Sequence, residues 1–416
     1  MNRRTRGIAV AALASTLAWS TASAQEDSAD STYDVLFEAR LAPTERAAHV
    51  RIELGDGAAH LRELRFRVDP ERHLEFSGDG ELTNAGEYVT WVPPEGGGEL
   101  SYVFRIDHFR DMRSYDARCA ATWALFRGDD LVPPARVRQE KGSRSRSRLR
   151  LRLPQGWSAA VPYAKLSGGD YRVTHPHRAF DRPTGWMVLG DIGVIRETVG
   201  ETRVAVAGPV RHGLRRLDIL ALLRWTLPEL SRILESSPER LLIVGAGAPM
   251  WRGGLSGPSS VYVHADRPLI TEDGTSPLLH EILHAAVGAR ADDEFDWIVE
   301  GLAEYYSIAL LSRSGTLSPE RSAAAIDRVV AGKPGAQDGG HRRGAVARGV
   351  GFFRTLDLRI RERSGDEGKS LDDVFRALAS RRQALTLDRL DEAVAEATGW
   401  SLAELDVEPP APAEGS

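Results

Sequence analysis

Near residue 200 the hydrophobic pattern of this 416-residue chain changes period, and that change limits the folds open to it. Residues 33–195 read as strands. The stretch 33–54 alternates loosely, Gly78-Asp79-Gly80 and Gly96-Gly97-Gly98 mark turns, and Trp91, Trp123 and Trp157 are spaced as sheet-core residues. Beyond 200 the pattern gives strands at 203–207 and 241–244, an edge strand at 259–266, and a helix over 214–234 interrupted at Pro228; the rest is helical. Ser276-Pro277, Ser318-Pro319 and the Ser370/Asp373 pair are helix starts, and Gly315, Gly332 and Gly399 are helix stops. The chain is therefore expected to be a multidomain α+β protein, too long for one core.

Composition removes several classes. With 54 Lys plus Arg against 59 Asp plus Glu, the net charge is −5, which excludes a dedicated nucleic-acid binder. The 42% hydrophobic content excludes a largely disordered chain. The single cysteine, Cys119, excludes an intramolecular disulfide or a thiolate metal cluster and reads as a buried small hydrophobe. Arg3, Arg4 and Arg6, an apolar run, and Ala22-Ser23-Ala24 form a bacterial secretory signal over 1–24, with cleavage after Ala24 and no following Cys for a lipid anchor. No later window reaches 18 apolar residues, so a periplasmic or secreted protein without stable membrane insertion is expected. The run RSRSRLRLRL places Arg144, Arg146, Arg148, Arg150 and Arg152 on one strand face. That face is either a polyanion-binding stripe or, on composition, an ordinary solvated face or charged edge.

The helix capped by Ser276 contains His280-Glu281-Ile282-Leu283-His284. Residues i and i+4 share a helical face, so both imidazoles can address one zinc ion. Glu281, about 100° round the helix, can reach a water at that ion. Catalytic zinc needs a third protein ligand. Glu300 lies 16 residues after His284 on the next helix, with Glu304 one turn beyond. Glu300 is the candidate third ligand, and Glu304 can accept the second ring N–H of a ligating His; otherwise both are solvated surface acids. His175 and His177, flanking Pro176, read as solvated, and His264 as a surface residue or a lining of the cleft.

HEILH followed by Trp297-Ile298-Val299-Glu300-Gly301-Leu302-Ala303-Glu304-Tyr305 resembles the gluzincin zinc metallopeptidases, whose third ligand is the Glu of a W-x-x-E-G-x-A-x-Y segment. Within them it resembles the glycyl aminopeptidase family, often PDZ-associated and related to aminopeptidase N; no PDZ domain follows here. Gly253-Gly254-Leu255-Ser256 matches the family's Gly-Gly-(Leu/Met)-Glu substrate-binding segment, and the run 344–378 its C-terminal helices. Arg182-Pro183-Thr184-Gly185-Trp186 adds a weaker likeness. The resemblance implies an N-terminal β-sandwich-like domain at 25–198, a thermolysin-like zinc peptidase α/β domain at 199–316 and a helical C-terminal domain at 317–407, with a disordered tail at 408–416.

It also implies Zn²⁺ held by His280, His284 and Glu300, Glu281 as general base, and a peptide or protein substrate paired with the edge strand. Two departures bear on specificity. Ser256 stands where the family's amine-anchoring Glu would be, and His341 where its transition-state Tyr would be. An imidazole can still donate to an oxyanion; Tyr305 or Tyr306 is the fallback. Because of these departures, three functions stay open: an exported zinc peptidase, a non-catalytic binding or assembly protein on the same fold, and a zinc hydrolase of non-peptide amides or esters.

Overall fold

The computed structural model describes residues 31–175, 178–288, 291–332, 340–381 and 384–410. The 1–24 leader, His177 and the tail past Pro410 lie outside the described residues.

The N-terminal part holds three sheets. The largest has seven strands, ordered Ala164–Lys165, Tyr171–Val173, Arg144–Arg152, Thr32–Ala42, Ala47–Leu54, Gly98–Arg105 and His73–Gly78. A four-stranded sheet (Ala135–Gln139, Leu61–Arg67, Tyr88–Val92, Glu81–Ala85) packs with it around Phe37, Ile52, Phe66, Trp91 and Phe104. The third sheet joins Ser158–Ala160, Trp186–Gly190, Trp123–Arg127, Tyr115–Cys119 and His108–Phe109. It is buried on both sides. Phe126, Met187 and Leu189 face the N-terminal core, while Leu125, Trp186 and Val188 pack on Leu242, Val244 and Tyr262 of the following sheet. Cys119 is buried in this layer, and burial pushes its thiol up to about 12.

The arginine-rich strand Arg144–Arg152 lies inside the large sheet, not at its edge. Ser145, Ser147 and Leu149 point inward, and the arginines face outward, with Arg146, Arg150 and Arg152 on carboxylates of neighbouring segments. Arg150 grips Asp170 with two hydrogen bonds of 2.9 and 2.8 Å, Arg146 reaches Asp34 at 2.8 Å, and Arg152 reaches Glu38 at 3.0 Å. The solvated-face reading holds, because the stripe is largely neutralised within the sheet.

The second half opens on a five-stranded sheet that begins at Ile192. Its order is Ile192–Val199, Thr202–Pro209, Arg240–Val244, Ser260–Val263, Gly254–Gly257, with parallel pairs in the middle and antiparallel pairs at both ends. The expected edge strand is thus internal: all four residues of Ser260–Val263 are buried, and the glycine-rich Gly254–Gly257 forms the edge. A tight turn, with Ser259 at φ 51°, folds that segment back on the outside. The helix Arg216–Leu234 runs unbroken through Pro228. Among the described residues six further α-helices follow: Pro277–Val287, Asp296–Arg313, Pro319–Val330, Gly340–Ser364, Leu371–Arg381 and Leu387–Thr398.

One apolar core extends from Val199 to Val407 and takes in the sheet, the zinc-motif helix and the C-terminal helices. Its tightest crossing sets Asp296–Arg313 against Gly340–Ser364. A Cβ on Gly301 would lie 2.4 Å from the Cα of Gly349, so glycine at both positions lets the two backbones touch. Among the described residues, no helix is long and apolar enough to cross a membrane.

Candidate metal centre

The helix Pro277–Val287 starts where its sequence says it should. The Ser276 hydroxyl accepts the Leu279 N–H at 3.3 Å and donates to the Leu269 carbonyl at 2.6 Å, and Pro277 occupies the first turn. It stops at Gly288, at φ 60°, whose N–H donates to the His284 carbonyl at 2.9 Å. His280 and His284 therefore leave one face of a helix fixed at both ends, and their Nε2 atoms are 3.0 Å apart.

The next helix, Asp296–Arg313, delivers the third group. Glu300 places one carboxylate oxygen 3.1 Å from Nε2 of His280 and the other 3.6 Å from Nε2 of His284. One ligand atom from each of the three residues falls within 4.8 Å of the others. One turn on, the Glu304 carboxylate lies 2.7 Å from Nδ1 of His280. That bond commits the Nδ1 proton and turns the Nε2 lone pair toward the other two donors. Lone pairs of three groups meeting at one buried point repel each other unless a proton or a cation sits between them. The donor set, two imidazole nitrogens and a carboxylate, is the chemistry that suits zinc.

The local electrostatics show the same demand for positive charge. Burial disfavours a charged His280, but the hydrogen bonds and charges of Glu300 and Glu304 outweigh it and push the imidazole up to about 10. Burial works against the Glu300 carboxylate as well, and His280 and His284 overcome it and hold its pKa far below the usual carboxylate range.

Glu281 is buried, 7% exposed, and lies against the edge strand. A Cβ on Gly254 would lie 2.9 Å from its Cγ, so the strand passes directly over the Glu281 side chain. The N-terminal sheets fix that strand. The Trp186 indole N–H donates to the Leu255 carbonyl at 2.9 Å, and the Trp186 amide donates to Ser260 Oγ at 2.8 Å. Below it the Tyr262 hydroxyl donates to the Trp251 carbonyl at 2.7 Å. Gly253 lies under the Trp251 ring, Gly254 over Glu281, and Leu255 and the half-buried Ser256 continue along the edge.

Other sequence candidates fall elsewhere. The Tyr305 hydroxyl donates to Asp357 at 3.1 Å and that of Tyr306 to Asp372 at 3.0 Å, so both tie the Glu300 helix to its neighbours. His264 is buried beyond Ser260–Val263 and accepts the Asp266 N–H at 3.2 Å; it is not a surface residue. His175 is half-buried, with Nε2 2.8 Å from the Thr184 hydroxyl, and not solvated. His341 lies in the first turn of Gly340–Ser364, a helix that starts four residues before the 344 expected from sequence; its side chain is outside the described ones. Sequence reasoning missed Trp186 and Trp251 as supports of the edge strand. The likeness around Arg182-Pro183-Thr184-Gly185-Trp186 was the only signal for the first.

No family model and no curated protein matches this sequence. Solved structures do match its fold. An aminopeptidase N family protein from Idiomarina loihiensis superposes with a TM-score of 0.67 at 14% identity, covering 89% of this chain and 74% of that one. An M1 zinc metallopeptidase from Deinococcus radiodurans superposes with a TM-score of 0.56 at 16% identity, covering 92% of this chain and 95% of that one. A two-domain M1 zinc metallopeptidase bound to L-arginine gives a TM-score of 0.57 at 15% identity over 92% of this chain and 96% of its own. The likeness is one of fold and spans nearly all the described residues.

Proposed function

We propose that this chain is an exported zinc metallopeptidase that hydrolyses peptide bonds. One observation carries the reading: His280, His284 and Glu300 converge on one buried point while Glu281, from the helix of the two histidines, meets the sheet edge at Gly254. Nearness in fold to zinc peptidases supports it.

The residues divide the work. His280, His284 and Glu300 would hold zinc, and Glu304 fixes the His280 tautomer. When bound, zinc polarises a carbonyl and lowers the pKa of water toward about 7. Glu281 takes the proton of the attacking water and passes it to the leaving amine. The backbone of Gly254–Gly257 pairs with an extended substrate and lays its scissile bond beside Glu281. His341 donates to the developing oxyanion in place of a tyrosine. The leader over 1–24 supplies export to the periplasm or medium.

Ser256 gives this edge no carboxylate for a substrate's amino terminus, which favours substrates that run past the scissile bond on both sides. The same feature favours a second reading, a binding protein that keeps the fold and the metal but not turnover. Zinc quantification on purified protein, with a peptide library scored for terminal and internal cuts, separates the two. The peptidase reading expects about one zinc per chain and cleavage that disappears in Glu281→Gln with zinc retained. Zinc without cleavage of any peptide, ester or amide supports the binding reading; cleavage of esters or amides alone makes the protein a different hydrolase.

A further inference from the structure

The N-terminal sheets do more than brace the edge strand: they bring a basic aromatic rim to one end of it. Strand Tyr115–Cys119 meets the segment before Gly253 through two backbone bonds, Tyr115 N–H to the Pro249 carbonyl at 3.0 Å and Trp251 N–H to the Tyr115 carbonyl at 2.7 Å. The Arg110 guanidinium stacks on the Trp251 ring at 4.2 Å, and that ring covers Gly253, the neighbour of Gly254. Behind it, the Phe109 ring lies tilted against Tyr115 at 4.2 Å between centroids, and the Arg118 guanidinium lies over the Tyr115 ring at 4.6 Å. Arg252 is exposed beside Trp251. Phe109 is 56% exposed although it stacks on another ring.

These cations are uncommitted. Among the described residues no carboxylate lies within ion-pair distance of Arg110, Arg118 or Arg252. The nearby acids have other partners: Asp107 holds Arg46 at 3.4 Å, Asp116 holds His108 at 2.5 Å, and Asp111 closes its own loop through the Arg113 and Ser114 amides. Elsewhere the pattern is the reverse, since the arginine stripe of the large sheet is paired with Asp34, Glu38 and Asp170. In a chain of net charge −5, Arg110 and Arg118 over aromatic rings, with the exposed Arg252 beside them, form a local attractor for anions.

We propose that the Arg110–Trp251 rim, with Arg252, recognises a carboxylate on the substrate, in residues following the scissile bond. The proposal rests on the peptidase reading for its direction. A substrate strand added antiparallel to Gly254–Gly257 runs in its own N-to-C sense past Glu281 toward Trp251, so its later residues reach the rim. The carboxylate is an Asp or Glu side chain or the substrate's own C-terminus; both offer the same planar acceptor to a guanidinium.

The test uses the zinc-loaded full chain carrying Glu281→Gln, titrated with fluorescent peptides. One peptide carries Glu two or three residues beyond its central bond, a second carries Gln there, and a third matches the second with an amidated C-terminus. The peptide with a carboxylate in reach should bind about threefold to fivefold more tightly than its neutral counterpart for each exposed pair formed, with the ratio shrinking in 0.5 M salt. That ratio should vanish in Arg110→Gln/Arg252→Gln and partly survive in Arg110→Lys. Loss with Gln assigns the side chain as the source; loss only with the amide assigns the C-terminus. Equal affinities for all three peptides, no binding of any, or a ratio that persists in the double Gln variant overturns the proposal. Turnover of the same peptides by the unmutated protein is scored separately. Arginine-dependent binding without cleavage rejects the peptidase reading and keeps the rim, whereas cleavage without charge preference does the opposite.

Discussion

Glu304 Oε2 lies 2.7 Å from Nδ1 of His280, so this carboxylate decides which nitrogen of the ring is left to face Glu300 and His284. The bond explains two acids one turn apart on a half-buried helix, an arrangement that like-charge repulsion would otherwise disfavour. Glu304→Gln keeps the shape and weakens the acceptor. We expect a roughly 10- to 100-fold loss of zinc affinity, read by competition with a chromophoric chelator. An unchanged affinity would make Glu304 a packing residue.

Gly254→Ala places a methyl group where the Glu281 Cγ lies, 2.9 Å away. The side chain or the strand must shift by a fraction of an ångström, enough to misplace a proton acceptor. Turnover should fall at least about tenfold with zinc content intact, since the atoms nearest that methyl group all belong to Glu281. Retained turnover would mean that the base tolerates displacement and that the close approach serves packing.

The Gly301–Gly349 crossing predicts the opposite balance. A Cβ on Gly349 would meet the Trp297 carbonyl at 2.1 Å, so Gly349→Ala forces apart Asp296–Arg313 and Gly340–Ser364. A cost of about 1–3 kcal/mol is expected, visible as a lowered Tm. Because Glu300 lies one residue from the crossing, zinc affinity should fall with it. A stable variant with normal metal binding would show that the helices can slide.

Acid stability should depend on a pair far from the metal. Burial, aided by Arg178, holds His175 down at about 4, while burial raises Asp181 to about 6 against the His175 amide that donates to it at 2.9 Å. Below pH 6.5 the unfolded chain takes up the His175 proton first, so this residue's contribution to stability drains away as pH falls from 6.5 toward 4. Asp181 acts in the other direction: the folded state takes up its proton first, and stability is gained as pH falls from about 6 toward 3.8. In urea titrations at pH 6.5 and 4.5, His175→Gln should lose less midpoint than the unmutated protein, and Asp181→Asn should lose more. Parallel shifts in all three proteins would remove the pair from the acid response.

The convergence of His280, His284 and Glu300 was legible because it is local. An i, i+4 pair of histidines and a glutamate one helix later are set by helical periodicity, and Ser276, Pro277 and Gly288 mark the limits of the first helix in plain residues. Glu304 was legible for the same reason. What escaped depends on pairing across long separations. Which of two short strands is the edge follows from a hairpin at Ser259, and alternation in SSVYVHAD resembles an edge although all four residues of Ser260–Val263 are buried. The partners of the arginine stripe come from Asp34, Glu38 and Asp170, distant in sequence or on another strand. His175 looks solvated beside Pro176 until the chain returns Thr184 to its ring. The Tyr115–Trp251 contact that builds the rim joins residues 136 apart, beyond any local signal.

The continuous core from Val199 to Val407 has a consequence for heating. The helices that carry the cluster, together with Gly340–Ser364, Leu371–Arg381 and Leu387–Thr398 behind them, draw on the same apolar interior, so their unfolding is expected to be coupled. His280, His284 and Glu300 should then be held or released together, and metal that binds there should raise a single cooperative transition as a whole.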